Sequence, residues 1–197
     1  MLKILILFVI MAASFLLYGE LAMSIDENRF LDENGNTILE INYEIPYKSL
    51  FFTPIDYGFA ADVLVNISLL RDSVTVYQQD FTNRIVLTNQ ELTLSEGSFL
   101  DKIILTLSQS GFVISLMFSE QVNNQQKMWE YNFQPLSEDT MLSDLEFLEN
   151  ILPDSTVSKP KFNRNGKYYQ VNPDHIFMIP EFSEFFLYFE LTNFFQD

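Results

Sequence analysis

Hydrophobic and polar positions alternate along most of the chain. From Thr37 to Ile45, Leu39, Ile41, Tyr43 and Ile45 fall on one side and Glu40, Asn42 and Glu44 on the other. A period of two with β-branched and aromatic residues predicts a half-buried strand. Ala61 to Leu70 repeats the pattern, with Val63, Val65, Ile67 and Leu69 facing in and Asp62, Asn66 and Ser68 facing out. Arg71-Asp72 can turn the chain into a strand over Ser73–Gln79, and Arg84 to Leu87 reads as a further short strand. Phe99–Leu107 and Phe112–Ser119 flank Gln109-Ser110-Gly111, a Gly-bearing break that predicts a hairpin. Lys127–Phe133 carries Trp129, Tyr131 and Phe133 on one side, and Pro135 closes it. About seven short strands at ten-residue intervals, with little helical period, predict an all-β fold, an antiparallel Ig-like β-sandwich. Ser137 to Leu152 fits two readings. Leu142, Leu145, Leu148 and Leu152 keep helical spacing behind a cap at Ser137, and an edge strand through Leu142–Phe147 fits as well.

The two ends of the chain differ from this body. Met1-Leu2-Lys3 is a positive start, Ile4 to Leu17 carries no charge, and Ala22-Met23-Ser24 puts small residues at the −3 and −1 positions of a cut after Ser24. That is the layout of a secretory signal peptide. A spanning helix needs roughly 20 apolar residues, and Glu20 interrupts the run first, so no stable membrane span is expected after cleavage. Toward the other end, Pro153, Pro160, Pro173 and Asn165-Gly166 mark turns around Lys159, Lys161, Arg164 and Lys167. These basic residues read as a solvated connector balancing an acidic neighbour, in preference to an anion-binding patch. Phe185 to Phe194 is apolar and aromatic, and such a strand either returns to the sheet or pairs with something else. The expected layout is a signal peptide at 1–24, a β-sandwich domain at 25–152, a polar linker at 153–184 and a terminal strand at 185–197.

Composition narrows the chemistry. The formal charge is −16, a field that repels nucleic acid and anionic lipid, so neither is an expected partner. The absence of cysteine excludes disulfides, thiolate metal sites and a cysteine nucleophile, and suits a bacterial periplasm. The one histidine, His175, sits beside Asp174, but no G-x-S-x-G elbow accompanies it, so a satisfied loop imidazole is the plainer reading. Asp32-Glu33-Asn34-Gly35-Asn36 has oxygen side chains at alternate positions, yet its glycine is misplaced for a calcium loop and Asn-Gly signals a turn. The pairs Glu138/Asp139 and Glu146/Glu149 fit glycoside cleavage only if set opposite each other. Asn66-Ile67-Ser68 matches a glycosylation sequon and reads as incidental. No catalytic set, metal site or cofactor is expected.

Three stretches carry a family resemblance. Leu39-Glu40-Ile41-Asn42-Tyr43-Glu44-Ile45-Pro46-Tyr47 with Leu50-Phe51-Phe52, then Leu142-Ser143-Asp144-Leu145-Glu146, then Asn172-Pro173 with Leu187-Tyr188-Phe189-Glu190-Leu191-Thr192-Asn193, occur in that order. Together they resemble the N-terminal β region of bacterial GWxTD domain-containing proteins. The Gly-Trp-x-Thr-Asp element itself is absent, since the only tryptophan, Trp129, follows Met128. The resemblance implies a secreted or periplasmic protein and a chain whose last strand begins a further domain; it implies no activity. The leading expectation is therefore a non-enzymatic interaction or structural module of the bacterial envelope. Its terminal strand, through Phe185, Phe186, Tyr188, Phe189 and Phe194, would pair with a protein partner or a second domain. The alternative is a carbohydrate-binding module using Trp129 and Tyr131, with a secreted hydrolase third.

Overall fold

The computed structural model describes residues 20–108, 110–137, 139–153, 159–175 and 185–192. Twelve strands lie among them, in three mostly antiparallel sheets, so the chain is all-β with more strands than the seven expected. In chain order they are β1 (Ser24–Leu31), β2 (Thr37–Pro46), β3 (Thr53–Ile55), β4 (Gly58–Arg71), β5 (Val74–Leu87) and β6 (Ser98–Leu107). There follow β7 (Phe112–Glu120), β8 (Gln126–Phe133), β9 (Glu146–Pro153), β10 (Asn163–Arg164), β11 (Lys167–Val171) and β12 (Phe186–Tyr188). A four-residue helix, α1 (Gln90–Thr93), is capped by the Asn89 side chain, which accepts from the Leu92 amide at 3.1 Å. None of the described helices is long and apolar enough to cross a membrane.

The chain forms two compact units, each assembled from separated segments. The first takes the described part of Met1–Ala22 together with Pro46–Gly97 and Val113–Asn132. Its five-stranded sheet is organised on β4. β5 runs along one side, from Phe59 opposite Leu87 to Arg71 opposite Val74, and β3 and then β7 run along the other, with β8 beyond β7. The inward residues of β4 align with Phe118, Leu116 and Ile114 of β7, and this face is buried. Asp72 and Ser73 turn β4 into β5 with φ of 50° and 64°, the pair of left-handed residues a two-residue hairpin loop requires. Gly58 cannot be replaced without strain, because a Cβ there would lie 2.2 Å from the Leu87 carbonyl oxygen at φ 150°.

The second unit takes Met23–Ile45, Ser98–Phe112 and the described part of Phe133–Asp197. It holds a three-stranded sheet in the order β1-β2-β6 and a four-stranded sheet in the order β10-β11-β9-β12. Leu148, Phe162, Tyr168 and Val171 form a buried apolar cluster on the four-stranded sheet, with Phe186 and Tyr188 packed against it.

Several expectations need correcting. Within the expected linker, the described residues 159–175 carry regular structure: Pro160–Phe162 forms a 3-10 turn, and β10 and β11 follow within the sheet, burying Phe162, Tyr168 and Val171. β6 and β7 do not make a hairpin, because β6 joins the sheet of β2 while β7 joins that of β4. The stretch 137–152 ends in a strand, β9, and not a helix. The two short strands expected over 73–87 are one, β5, whose polar centre is exposed on both faces and so has no apolar period to read. β1 was not anticipated and begins at Ser24, while Leu21 is fully buried and its amide donates to the Gln126 carbonyl at 3.1 Å. The terminal strand returns to its own unit, pairing Phe186 with Leu148 and Tyr188 with Glu146 of β9.

Candidate functional site

The second unit withdraws an unusual number of charges from water. β2 was expected to turn Glu40 and Asn42 outward; both are buried, together with Lys102 of β6 and Glu146 of β9, whose side chains are 1% and 0% exposed. Lys102 Nζ donates to Glu40 Oε2 and lies 3.3 Å from Glu146 Oε1. Arg164 of β10 closes the ring, with Nη1 2.5 Å from Glu146 Oε2 and Nη2 on Glu40 Oε2. Asn42 Nδ2 donates to Glu146 Oε1 at 3.0 Å. Aromatic faces shield the cations: the Arg164 guanidinium carbon stands 4.2 Å from the Tyr188 ring centre, and Lys102 Nζ 5.1 Å from that of Phe162.

Two cations and two carboxylates make a neutral set that links both sheets of the unit. Burial alone pushes the Glu146 carboxyl upward, but Lys102 and then Arg164 outweigh it and hold the group below the ordinary carboxylate range. Burial lowers Arg164, and the carboxylates of Glu146 and Glu40 more than restore it, so it stays above its ordinary value. Each carboxylate meets both cations, and the guanidinium carbon stands 5.0 Å and 4.2 Å from the ring centres of Phe30 and Tyr188. The arrangement ties the two sheets of the unit together.

The sequence-derived candidates fall into place around it. His175 Nε2 lies 3.0 Å from Asp26 Oδ1 on β1, and its ring centre lies 4.7 Å from that of Phe147. Burial pushes Asp26 upward, against a 2.7 Å hydrogen bond from Asn28. Asp32 is a turn residue: its Oδ1 accepts from the amides of Asn34 and Asn36, both at 2.8 Å, and Gly35 takes φ 76°. Of the basic run, Lys161 Nζ pairs with Asp101 at 2.9 Å, Lys159 Nζ donates to the Leu100 carbonyl at 3.2 Å, and Arg164 is committed to the buried ring. Glu146 is committed to the buried ring, while Glu149 sits at the bulge where β9 shifts register against Gln170 and Val171, and accepts from Gln170. Glu138 lies outside the described residues. Among those described, no group of three or more His, Asp and Glu is placed to hold a metal ion.

Trp129 and Tyr131 share a side of β8, as expected, and stack on each other with centroids 5.5 Å apart and planes at 16°.

The terminal strand divides its side chains sharply. Phe186 and Tyr188 turn inward, Tyr188 with its phenol pushed up by burial and by the neighbouring Glu190 carboxylate. Phe185, Leu187, Phe189 and Leu191 are all exposed, and Met141, Leu142 and Leu145 are exposed on the segment paired with it. Phe194 lies outside the described residues. Backbone bonds extend the pairing beyond β12: Ser143 donates to the Glu190 carbonyl at 3.0 Å and Thr192 to that of Met141 at 3.1 Å.

The buried ring is the feature that sequence reasoning missed. Its one visible signal was Lys102, a lysine set among Leu100, Ile103 and Ile104 inside a strand. No protein-family model matches the chain, and neither a curated protein nor a solved structure does.

Proposed function

We propose that this protein is a secreted, non-enzymatic module of the bacterial envelope that works by protein–protein contact, with an Ig-like β-sandwich as its binding scaffold. The observation that carries the reading is the exposed row Phe185, Leu187, Phe189 and Leu191 on the outer side of the terminal strand. Four apolar side chains at alternate positions along and beside β12, the outermost strand of its sheet among the described residues, are a docking feature, since such a row in water favours a partner that covers it. The buried ring supports it from behind, because Tyr188, on the inner side of the same strand, packs over Arg164. The envelope location rests on the signal-like residues 1–24 and on the GWxTD resemblance. The partner is a folded protein or domain contributing apolar side chains to the row.

Photo-crosslinking tests this. A benzoylphenylalanine at position 187 of the exported protein should yield a discrete heavier adduct, and the same probe at the exposed turn residue Asn34 should not. Phe185→Ser with Phe189→Ser should abolish the adduct while leaving the circular-dichroism spectrum unchanged. No adduct at 187, with retardation on a glycan gel that Trp129→Ala removes, would transfer the reading to carbohydrate binding.

A further inference from the structure

We infer that β5 is a self-pairing edge through which two copies of this chain join, antiparallel, about a two-fold axis at Thr82. The proposal is independent of the terminal strand. β5 is 14 residues long, and among the described residues β4 is its only strand partner. Val74, Val76, Tyr77 and Val86 are exposed along it. Natural edge strands of this length are guarded by proline, lysine or a bulge. Val74–Leu87 contains no proline and no lysine, and the one register shift of its pairing, at Leu69/Leu70 of β4, lies next to the turn, leaving 77–87 regular.

Charge selects a second copy as the occupant. A chain of net charge −16 repels its own kind unless the contact is locally compensated. β5 carries one acid and one base, Asp80 and Arg84, four residues apart on the same face. Antiparallel pairing centred on Thr82 sets Asp80 of each copy opposite Arg84 of the other, so the contact holds two opposite-charge pairs. Each already has a partner on β4: Arg84 lies 3.8 Å from Asp62, and Asp80 accepts from Asn66. The pairing would extend those contacts into two charge ladders across four strands. On the other face the same register brings Tyr77 against Leu87 and Gln79 against Ile85, an aromatic–aliphatic pair and a mixed one.

Sedimentation velocity on the full chain tests the register directly. The wild type should dimerise. Asp80→Arg and Arg84→Asp each place like charges opposite one another twice, and each should weaken the dimer by about tenfold. Mixing the two variant chains should restore association as a heterodimer, and the double variant D80R/R84D should dimerise again by itself. A wild type that stays monomeric at every accessible concentration overturns the proposal, as does a dimer indifferent to both single substitutions. Restoration by the double variant guards against loss of fold as the cause.

Discussion

A lysine ammonium with 1% of its side chain exposed needs fixed counter-charges, and Lys102 has two, Glu40 and Glu146. Removing one member of such a ring strands the others in a poor solvent for charge. Lys102→Met should therefore lower the stability to urea by about 3–5 kcal/mol, the range for breaking a buried pair. Replacing all four ions together, Glu40→Leu, Lys102→Met, Glu146→Leu and Arg164→Met, should cost far less than that single change, because no orphaned charge is left. Equal losses in the two would mean that the ring contributes by shape and not by charge. Acid acts on the same residues with a definite sign. Glu146 is held below its ordinary range, so its contribution is complete above the unfolded carboxylate value of about 4.3 and disappears as pH falls through the lower folded value. Burial raises Asp26, Glu27 and Glu149 instead, so the folded state binds their protons more readily and gains stability as pH drops toward ordinary carboxylate values. Urea midpoints from roughly pH 3 to 8 should thus pass through a maximum on the mildly acidic side and then fall steeply. A midpoint that declines steadily from neutrality would contradict the upward direction of Asp26, Glu27 and Glu149.

Whether a strand could be read in advance depended on how its two faces were treated by the fold. β4 and β7 bury one face against the core of their sheet, so their apolar residues recur at period two and the limits came out within a few residues. β2 buries both faces. Its polar side, Glu40 and Asn42, looked solvent-facing because no local rule reveals that Lys102 and Arg164, 62 and 124 residues away, will neutralise it. β10 and β11 were hidden for the opposite reason, since prolines, Asn-Gly and four cations in one stretch give the composition of a loop. There Lys161 is taken by Asp101, and Arg164 by Glu40 and Glu146. The start of the described chain makes contacts of its own. Glu20 bridges to Gln126 and pairs with Lys127, and Leu21 is buried, so a cut after Ser24 would strip residues that belong to the first unit. N-terminal sequencing of the exported protein should find Glu20 and Leu21 retained; a mature chain starting at Ile25 would show that these contacts are dispensable.

For the molecule as a whole, the consequence is that neither unit is a contiguous piece of chain. The second unit draws one strand pair from before residue 46, one strand from 98–107 and the rest from beyond 133. β9 makes the point most plainly, because both of its neighbours, β11 and β12, come after it in sequence. A fragment ending at Leu152, where the domain boundary was expected, keeps most of β9 but loses both strands that pair with it. It also loses Arg164 from the charged ring, and Phe162, Tyr168 and Val171 from the cluster around Leu148. Leu148, Glu146 and Glu40 would then face water or sit buried without partners. Several losses of that kind together exceed the roughly 5–15 kcal/mol that a domain has in hand. Residues 25–152 should accordingly show no cooperative thermal transition and should bind hydrophobic dye, whereas the chain through Thr192 should melt in a sharp step. A fragment that melted as sharply as the longer chain would mean that the unit closes without its last three strands, and that the ring of charges is an accessory to the fold and not its clasp.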